Sequence, residues 1–552
     1  MSIFFRILLS SLAILILFSC AVKEAPSGGP EDTAKPTIIG VIPEPRSINI
    51  PPDTKFHILF SKPMNREKTI SAVFLSPVFW DYPAYKWNGR ELIVSPPENL
   101  EKDKTYVLTI GADATDHHGN RMGTSYSFAF STGGAIDSGS ISGSIYLEKE
   151  RPTAYDIWAY SLEDTASALF LKDIPDYATQ VDSTYEFEIE NISFGNYVIV
   201  VIDDRNNDLF WDPTSESIGL PPAIIRLESG ESSNGFVLKP ERRDTIPAEI
   251  SRVRTIDNRK ITVELSQPIP DEMKLDTARF YITASDSTFL AIEGAYIGGE
   301  GKLVFETEAQ EAGKSYRLKP REFFSLWGNS FDTSGARFTG SPEIDTTGPE
   351  LLTTVPSDGS HTTYRNDHIE MVFSERIRTL GFVNSVSVIA DSSDTLNFIP
   401  RWVYPNRIHL NFRTGIPREK EIEVRLDPGK IYDVGGNPMK DSTLSFRFRM
   451  APADTVGSVS IETGKPGNMI GELYSKGTGK ESFSTNADEN GVFNFNSVLP
   501  GTYYFRYFDD ADSNGIWTPG VINPFVTAEW FFYHRDSIDV RARWTTDLGQ
   551  ID

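Results

Sequence analysis

Hydrophobic and polar residues alternate along much of this chain. Phe56-His57-Ile58-Leu59-Phe60, Tyr126-Ser127-Phe128-Ala129-Phe130, Tyr185 to Glu190, Glu421 to Leu426 and Leu444 to Phe448 each set apolar side chains on one face only. That period of two belongs to half-buried β-strands. Strands of this kind need a second sheet to cover the apolar face, so the pattern predicts packed sandwiches. The 35 prolines and 41 glycines break the chain into short pieces, and beyond the N-terminal apolar run no long stretch keeps a helical period. The predicted fold class is all-β.

Two internal repeats organise these strands. Gly195-Asn196-Tyr197 through Pro213 matches Gly501-Thr502-Tyr503 through Pro519 without a gap, at a constant offset of 306 (509 minus 203). Phe187 and Phe493 keep the same offset, which carries the match into the preceding strand. A second repeat opens at Asp32-Thr33-Ala34-Lys35-Pro36, Asp244-Thr245-Ile246-Pro247 and Asp345-Thr346-Thr347-Gly348-Pro349. Each opening is followed by a strand ending in Phe60-Ser61-Lys62-Pro63, Leu265-Ser266-Gln267-Pro268 or Phe373-Ser374-Glu375. Each unit then reaches a turn, Asp116-His117-His118-Gly119-Asn120, Ser325-Leu326-Trp327-Gly328-Asn329 or Asp433-Val434-Gly435-Gly436-Asn437, before a closing strand. Gly-Asn suits such a turn because both residues tolerate positive φ.

The proline-led first strand, the Phe-Ser second strand and the Asp-x-x-Gly-Asn turn together resemble the S-layer-type bacterial Ig-like domain. The resemblance covers residues 35–133 and 345–451, and more weakly 242–341, where Ser325 replaces the turn aspartate and Leu265 the aromatic. Residues 139–241 and 453–552 resemble prealbumin-like sandwiches of the carboxypeptidase-regulatory or Cna-B type, through Ile141 to Ile145, Gly491-Val492-Phe493-Asn494-Phe495 and Leu499-Pro500-Gly501-Thr502-Tyr503. These resemblances imply a serial array of Ig-like and prealbumin-like β-sandwiches, and fold alone implies no function.

Cys20 is the only cysteine, and it follows Leu17-Phe18-Ser19 at the end of an apolar run that begins after Arg6. This is the build of a secretory signal, and the run is too short to span a bilayer comfortably. Leu17 to Cys20 resembles the lipobox of bacterial lipoproteins, which implies a signal peptide at 1–19 and an acylated, palmitate-bearing Cys20. Residues 20–34, with Pro26, Gly28, Gly29 and Pro30, then form a flexible linker. Two or more acyl chains anchor stably where one does not. The expected location is the outer membrane or cell surface, with the membrane as the first partner.

Charge narrows the partners. With 53 basic and 77 acidic residues the chain carries −24, which argues against nucleic-acid or anionic-lipid binding, because both rest on clustered Lys and Arg. No disulfide is possible within the mature chain, so each module must be held by its own core.

Alternate oxygen-bearing residues mark the repeated loop. Asp204, Asn206 and Asp208, with Asp212 at the ninth position, and Asp510, Asp512 and Asn514, with Thr518 at the ninth, match the first half of a calcium loop, and Gly515 fills its turning position. Against this, Leu209 replaces that glycine in the first copy and neither copy has a glutamate at position twelve. A hairpin rich in Asp and Asn that satisfies its own backbone accounts for the same residues. Trp211 and Trp517 are expected to pin these loops to their sandwiches. His117 and His118 beside Asp113 and Asp116 lack further nearby ligands for a transition metal and read as a polar turn. The aromatic stretches Phe79 to Trp87 and Trp530 to Tyr533 would stack on sugars if exposed, and are core or edge residues otherwise.

No His-Glu-x-x-His or Gly-x-Ser-x-Gly is present, and Gly313-Lys314-Ser315 has Glu308 where a phosphate loop needs glycine. The expectation is a non-enzymatic, lipid-anchored envelope protein needing no cofactor, whose sandwiches lie end to end over a distance on the order of 150 Å. An adhesin that binds polysaccharide or a protein partner is the second reading, and a hydrolase with a carboxylate pair the third.

Overall fold

The computed structural model describes residues 32–551 except 149–154, 163–170, 172, 229–230, 244–245, 268–275, 299–301, 322–324, 326–328, 363–367, 441–443, 451, 466 and 477–481. Cys20 and the segment expected to be a signal peptide lie outside the described residues, as do Asp244 and Leu326 to Gly328. Among the described residues no helix is long and apolar enough to cross a membrane.

Strands gather into pairs of facing sheets along five successive segments. In the first, Ile38–Ile42, Phe56–Phe60, Glu91–Ser95 and Ala84–Asn88 form one sheet, and Val73–Ser76, Thr105–Ile110 and Tyr126–Ser131 the other. Phe56, Ile58 and Phe60 meet Tyr106, Leu108 and Phe130 between them. This is the face that the alternation marked.

The third segment (250–339) pairs Ile250–Thr255, Lys260–Leu265, Leu303–Thr307 and Ile292–Ile297 against a sheet led by Phe280–Ala284 and Ser315–Pro320. The fourth (351–450) places His368–Phe373 and Arg407–Asn411 across from Glu421–Leu426 and Leu444–Met450.

The second (139–242) and fifth (457–550) segments share a different wiring. Gly139–Ile145 pairs antiparallel with Glu186–Ile192 and parallel with Ser232–Leu238. Gly457–Glu462 does the same with Val492–Val498 and Thr545–Gln550. Phe187 and Phe493, one offset of 306 apart, are both buried in their cores.

The sandwiches are not simply end to end. The fifth docks on the second, although more than 200 residues of chain separate them. Trp530 packs on the second sandwich's core and stacks on Phe236 with ring centroids 5.8 Å apart. Tyr146 meets Phe531 at 4.8 Å, the Tyr146 and Tyr474 hydroxyls lie 2.9 Å apart, and Arg506 reaches Glu148 at 3.3 Å. Buried Arg243 donates to the backbone carbonyls of Pro519 and Gly520, and burial pushes its guanidinium down to about 10. Apolar burial on this scale is the main source of association free energy. Strand Asp156–Leu162, with Trp158 and Tyr160 buried on its outer face, and Phe74 of the first sandwich join the same cluster as Ala528. Linear extension therefore fails at this point, because the second sandwich has two apolar outer faces to cover.

Candidate functional site: acidic loops and sandwich junctions

Each acidic loop leaves the long strand of its sandwich, Gly195–Ile202 or Gly501–Asp509. The next strand returns beside it, and its leading glutamate closes the loop. Glu216 accepts the amides of Arg205 and Asp212 at 3.0 and 2.8 Å. Glu529 accepts those of Ala511 and Thr518 at 2.8 and 2.9 Å. The tryptophans act as pins: Trp211 Nε1 donates to the Glu216 carbonyl at 3.3 Å and Trp517 Nε1 to the Glu529 carbonyl at 3.0 Å. These two glutamates are equivalent, yet 529 minus 216 is 313 rather than 306. An insertion of seven residues separates Glu529 from its loop, and the gapless repeat ends before reaching it.

Within the loops, much of the ligand pattern is spent on the backbone. Asp204 accepts the amides of Asn207 and Leu209 at 2.7 and 3.1 Å, and Asp510 those of Asn514 and Gly515 at 2.9 and 3.1 Å. Asn206 donates to Asp208, and Asn514 to Asp512 and Thr518. Asp212 caps its own turn through Thr214 and Ser215, whereas Thr518 stays with the cluster and donates to Asp512 at 3.1 Å. Carboxylate oxygens of Asp510, Asp512 and Glu529 lie within 4.8 Å of one another. The first loop gathers no such trio among the described residues. Burial is the largest influence raising Glu529, with Asp512 repulsion adding to it.

The Asp-x-x-Gly-Asn turns form a latch. Asp116 Oδ1 accepts the amides of His118 and Asn120, and Asp433 Oδ1 that of Asn437 at 2.7 Å. The asparagine amide then donates to the turn aspartate and to the carbonyl of the opening residue, Asn120 to Asp32 at 2.7 Å and Asn437 to Asp345 at 3.2 Å. Gly119 and Gly436, at φ of 90° and 93°, supply the left-handed step. In the third sandwich Gln267 relays the latch, accepting from Asn329 and donating to the Ile246 carbonyl. Sequence identified the turn chemistry and missed this tie to the opening strand. His118 lies near Asp32 and Asp116, but Lys62 bonds Asp32 at 2.7 Å and stands 3.5 Å from Asp116, so an ammonium holds the place of a metal. Asp113 pairs with Arg121 instead.

At the position equivalent to Lys62 the fourth sandwich carries Glu375, and the cation comes from its neighbour. Lys260 of the third sandwich bonds Asp345 at 2.5 Å and also Glu375. Burial pushes Glu375 up to about 7 against the pull of Lys260. Burial also works to raise Asp345, but its bonds from Lys260 and Thr347 outweigh that and hold it low. Two carboxylates share one ammonium, and the more buried one keeps its proton longest. Arg376 with Glu306 at 2.9 Å and Asn406 with the Ile297 carbonyl at 2.7 Å complete the junction.

Comparison with known proteins finds a family match over the two segments that carry the aspartate–asparagine latch. Residues 32–132 and 345–449 match the bacterial Ig-like domain family. These two segments are bacterial Ig-like domains. Both Ig-like domains carry the opening aspartate, the turn aspartate and the asparagine tie described above. No curated protein matches the chain. Among solved structures, the N-terminal part of the bacterial S-layer protein SbsC is 12% identical over 37% of this chain and 44% of that one, with a TM-score of 0.16. The native α2-macroglobulin of E. coli is 10% identical over 91% of this chain and 34% of its own, at 0.15. The S-layer protein rSbsC(31-844) is 11% identical over 92% and 67%, at 0.14. The chain thus spans less than half of the first two. Scores this low do not establish a shared arrangement of the sandwiches.

The aromatic stretches divide. Phe79, Tyr85 and Trp87 pack on the first core, while Trp80 and Tyr82 stand 73% and 67% exposed. Trp530, Phe531 and Tyr533 are spent on the dock between the fifth and second sandwiches, while Phe532 packs on the fifth core.

Proposed function

We propose that this protein is a non-enzymatic scaffold of the cell envelope, anchored by lipid at Cys20, whose sandwiches are consolidated into a stiff body by buried junctions. The observation that carries this is the dock of the fifth sandwich on the second. A string of freely hinged modules gains nothing from burying Trp530, Phe531 and Arg243 between non-consecutive members, whereas a load-bearing or presenting body does. The match of two segments to bacterial Ig-like domains supports a place at the surface.

Anchoring is tested by Cys20→Ser. The variant is expected to leave the membrane fraction for the soluble one, since among the described residues no helix is long and apolar enough to cross a membrane. Retention in the membrane would overturn the anchor.

The second acidic loop is the proposed calcium position, with Asp510, Asp512, Asn514, Thr518 and Glu529 as the ligand set. Titration calorimetry is expected to give one weak site, with a Kd of about 10⁻⁴ to 10⁻³ M. Asp512→Asn should abolish it and Asp208→Asn should not. Equal loss in both variants, or no heat in the parent protein, would count against the assignment.

A further inference from the structure

Where the first and second sandwiches meet, a cavity of about 740 Å³ opens between the exposed aromatic segment of the one and the first acidic loop of the other. The exposed Trp80 and Tyr82 line it together with Phe79 and Tyr85. Phe210 of the acidic loop lines the same cavity and meets Trp80 edge to face, with centroids 6.4 Å apart and planes at 77°. A cavity of this size, apolar with a few convergent polar groups, is of the order that holds a small molecule.

The charges around it are unequal. Glu67, Asp81, Asp156, Asp204 and Asp208 line the cavity against the single cation Arg66. Asp156 is only 4% exposed, and Gln180 fixes it by donating to Oδ1 at 2.9 Å. The same Gln180 accepts from the Asp113 amide of the first sandwich at 3.3 Å, so the carboxylate is set by the junction itself. Burial, followed by repulsion from Asp204, pushes Asp156 well up, and burial pushes Asp204 up to about 6. Acids thus outnumber cations around the cleft, and Asp156 and Asp204 stand close enough to repel one another.

We infer that this cleft binds an organic cation, an ammonium or guanidinium group on an apolar body, with the head among the carboxylates and the body against Trp80, Tyr82 and Phe210. Aromatic faces attract cations through the ring quadrupole, and a cleft of one sign focuses that attraction onto the ligand. A neutral saccharide would stack on the same rings but would leave the excess of acids over Arg66 without a counter-charge. The inference stands independently of the scaffold and anchor proposed above, since it concerns one junction only.

The test titrates the full chain by calorimetry with phenylpropylammonium, with its neutral counterpart phenylpropanol, and with maltoheptaose. The cation is expected to bind saturably and about tenfold or more tighter than the alcohol. Trp80→Ala, a surface change that should leave the melting temperature alone, is expected to weaken the cation by about tenfold. The exposed pair Glu67→Gln and Asp81→Asn should weaken the cation while sparing the alcohol. Three results would overturn the inference: no cation binding, an alcohol as tight as the cation, or maltoheptaose binding preferentially at a site lost with Trp80.

Discussion

Replacing Lys260 by methionine is expected to destabilise the junction of the third and fourth sandwiches by about 3–5 kcal/mol, the cost of leaving buried carboxylates without their cation. The loss should depend on pH. Glu375 carries a folded pKa of about 7, above its ordinary 4.5. A group raised on folding contributes stability that is fully present below its unfolded value and is lost as pH rises through the folded one. Asp345 is held low by its Lys260 and Thr347 bonds, against burial, and stays ionised through this window, so Glu375 sets the slope. In the parent protein the calorimetric transition of this pair is expected to fall by up to about 3 kcal/mol between about pH 5 and pH 8. Glu375→Gln keeps an acceptor for Lys260 and should flatten that slope. A Lys260→Met variant as stable as the parent at about pH 8 would show that the junction does not depend on the ammonium.

Trp530→Ala is the second large effect. The indole bridges two cores, stacking on Phe236 and on Phe532 at 5.8 and 6.0 Å. Its partial burial sets the expected cost at about 2–3 kcal/mol, taken almost wholly from the dock rather than from either sandwich. The fifth sandwich should then melt in a transition of its own, and small-angle scattering should report a larger radius of gyration. Trp544, 70% exposed, provides the control, since Trp544→Ala should change neither measurement. Unchanged scattering and a single shared transition in Trp530→Ala would mean that the dock is held by something else.

Strand positions were legible because alternation records which face of a strand is dry. Phe56–Phe60 and Leu444–Met450 lie where their period of two predicts. What alternation omits is the identity of the cover. The run Tyr197 to Ile202 is apolar at every position and buried throughout, which is the mark of a strand covered on both faces. That run was the available signal that the second sandwich packs on more than its own partner sheet. Glu216 and Glu529 were hidden for another reason: a seven-residue insertion moves one of them out of register, and only the hydrogen bonds to equivalent amides reveal the pair. The latch asparagines were half legible, since a turn residue's conformation follows from its type but the reach of its amide to a residue some 90 positions away does not. Lys260 could not be found at all from sequence, because its partners belong to the next sandwich.

The dock also fixes how tension would travel. With the C-terminal sandwich clamped to the second, the third and fourth form a closed excursion whose two ends emerge from one rigid pair. A pull applied between the first and fifth sandwiches would run through the first, second and fifth and bypass that excursion. Only when the clamp gave way would the middle of the chain take strain, and the molecule would then lengthen in one abrupt step rather than by gradual straightening.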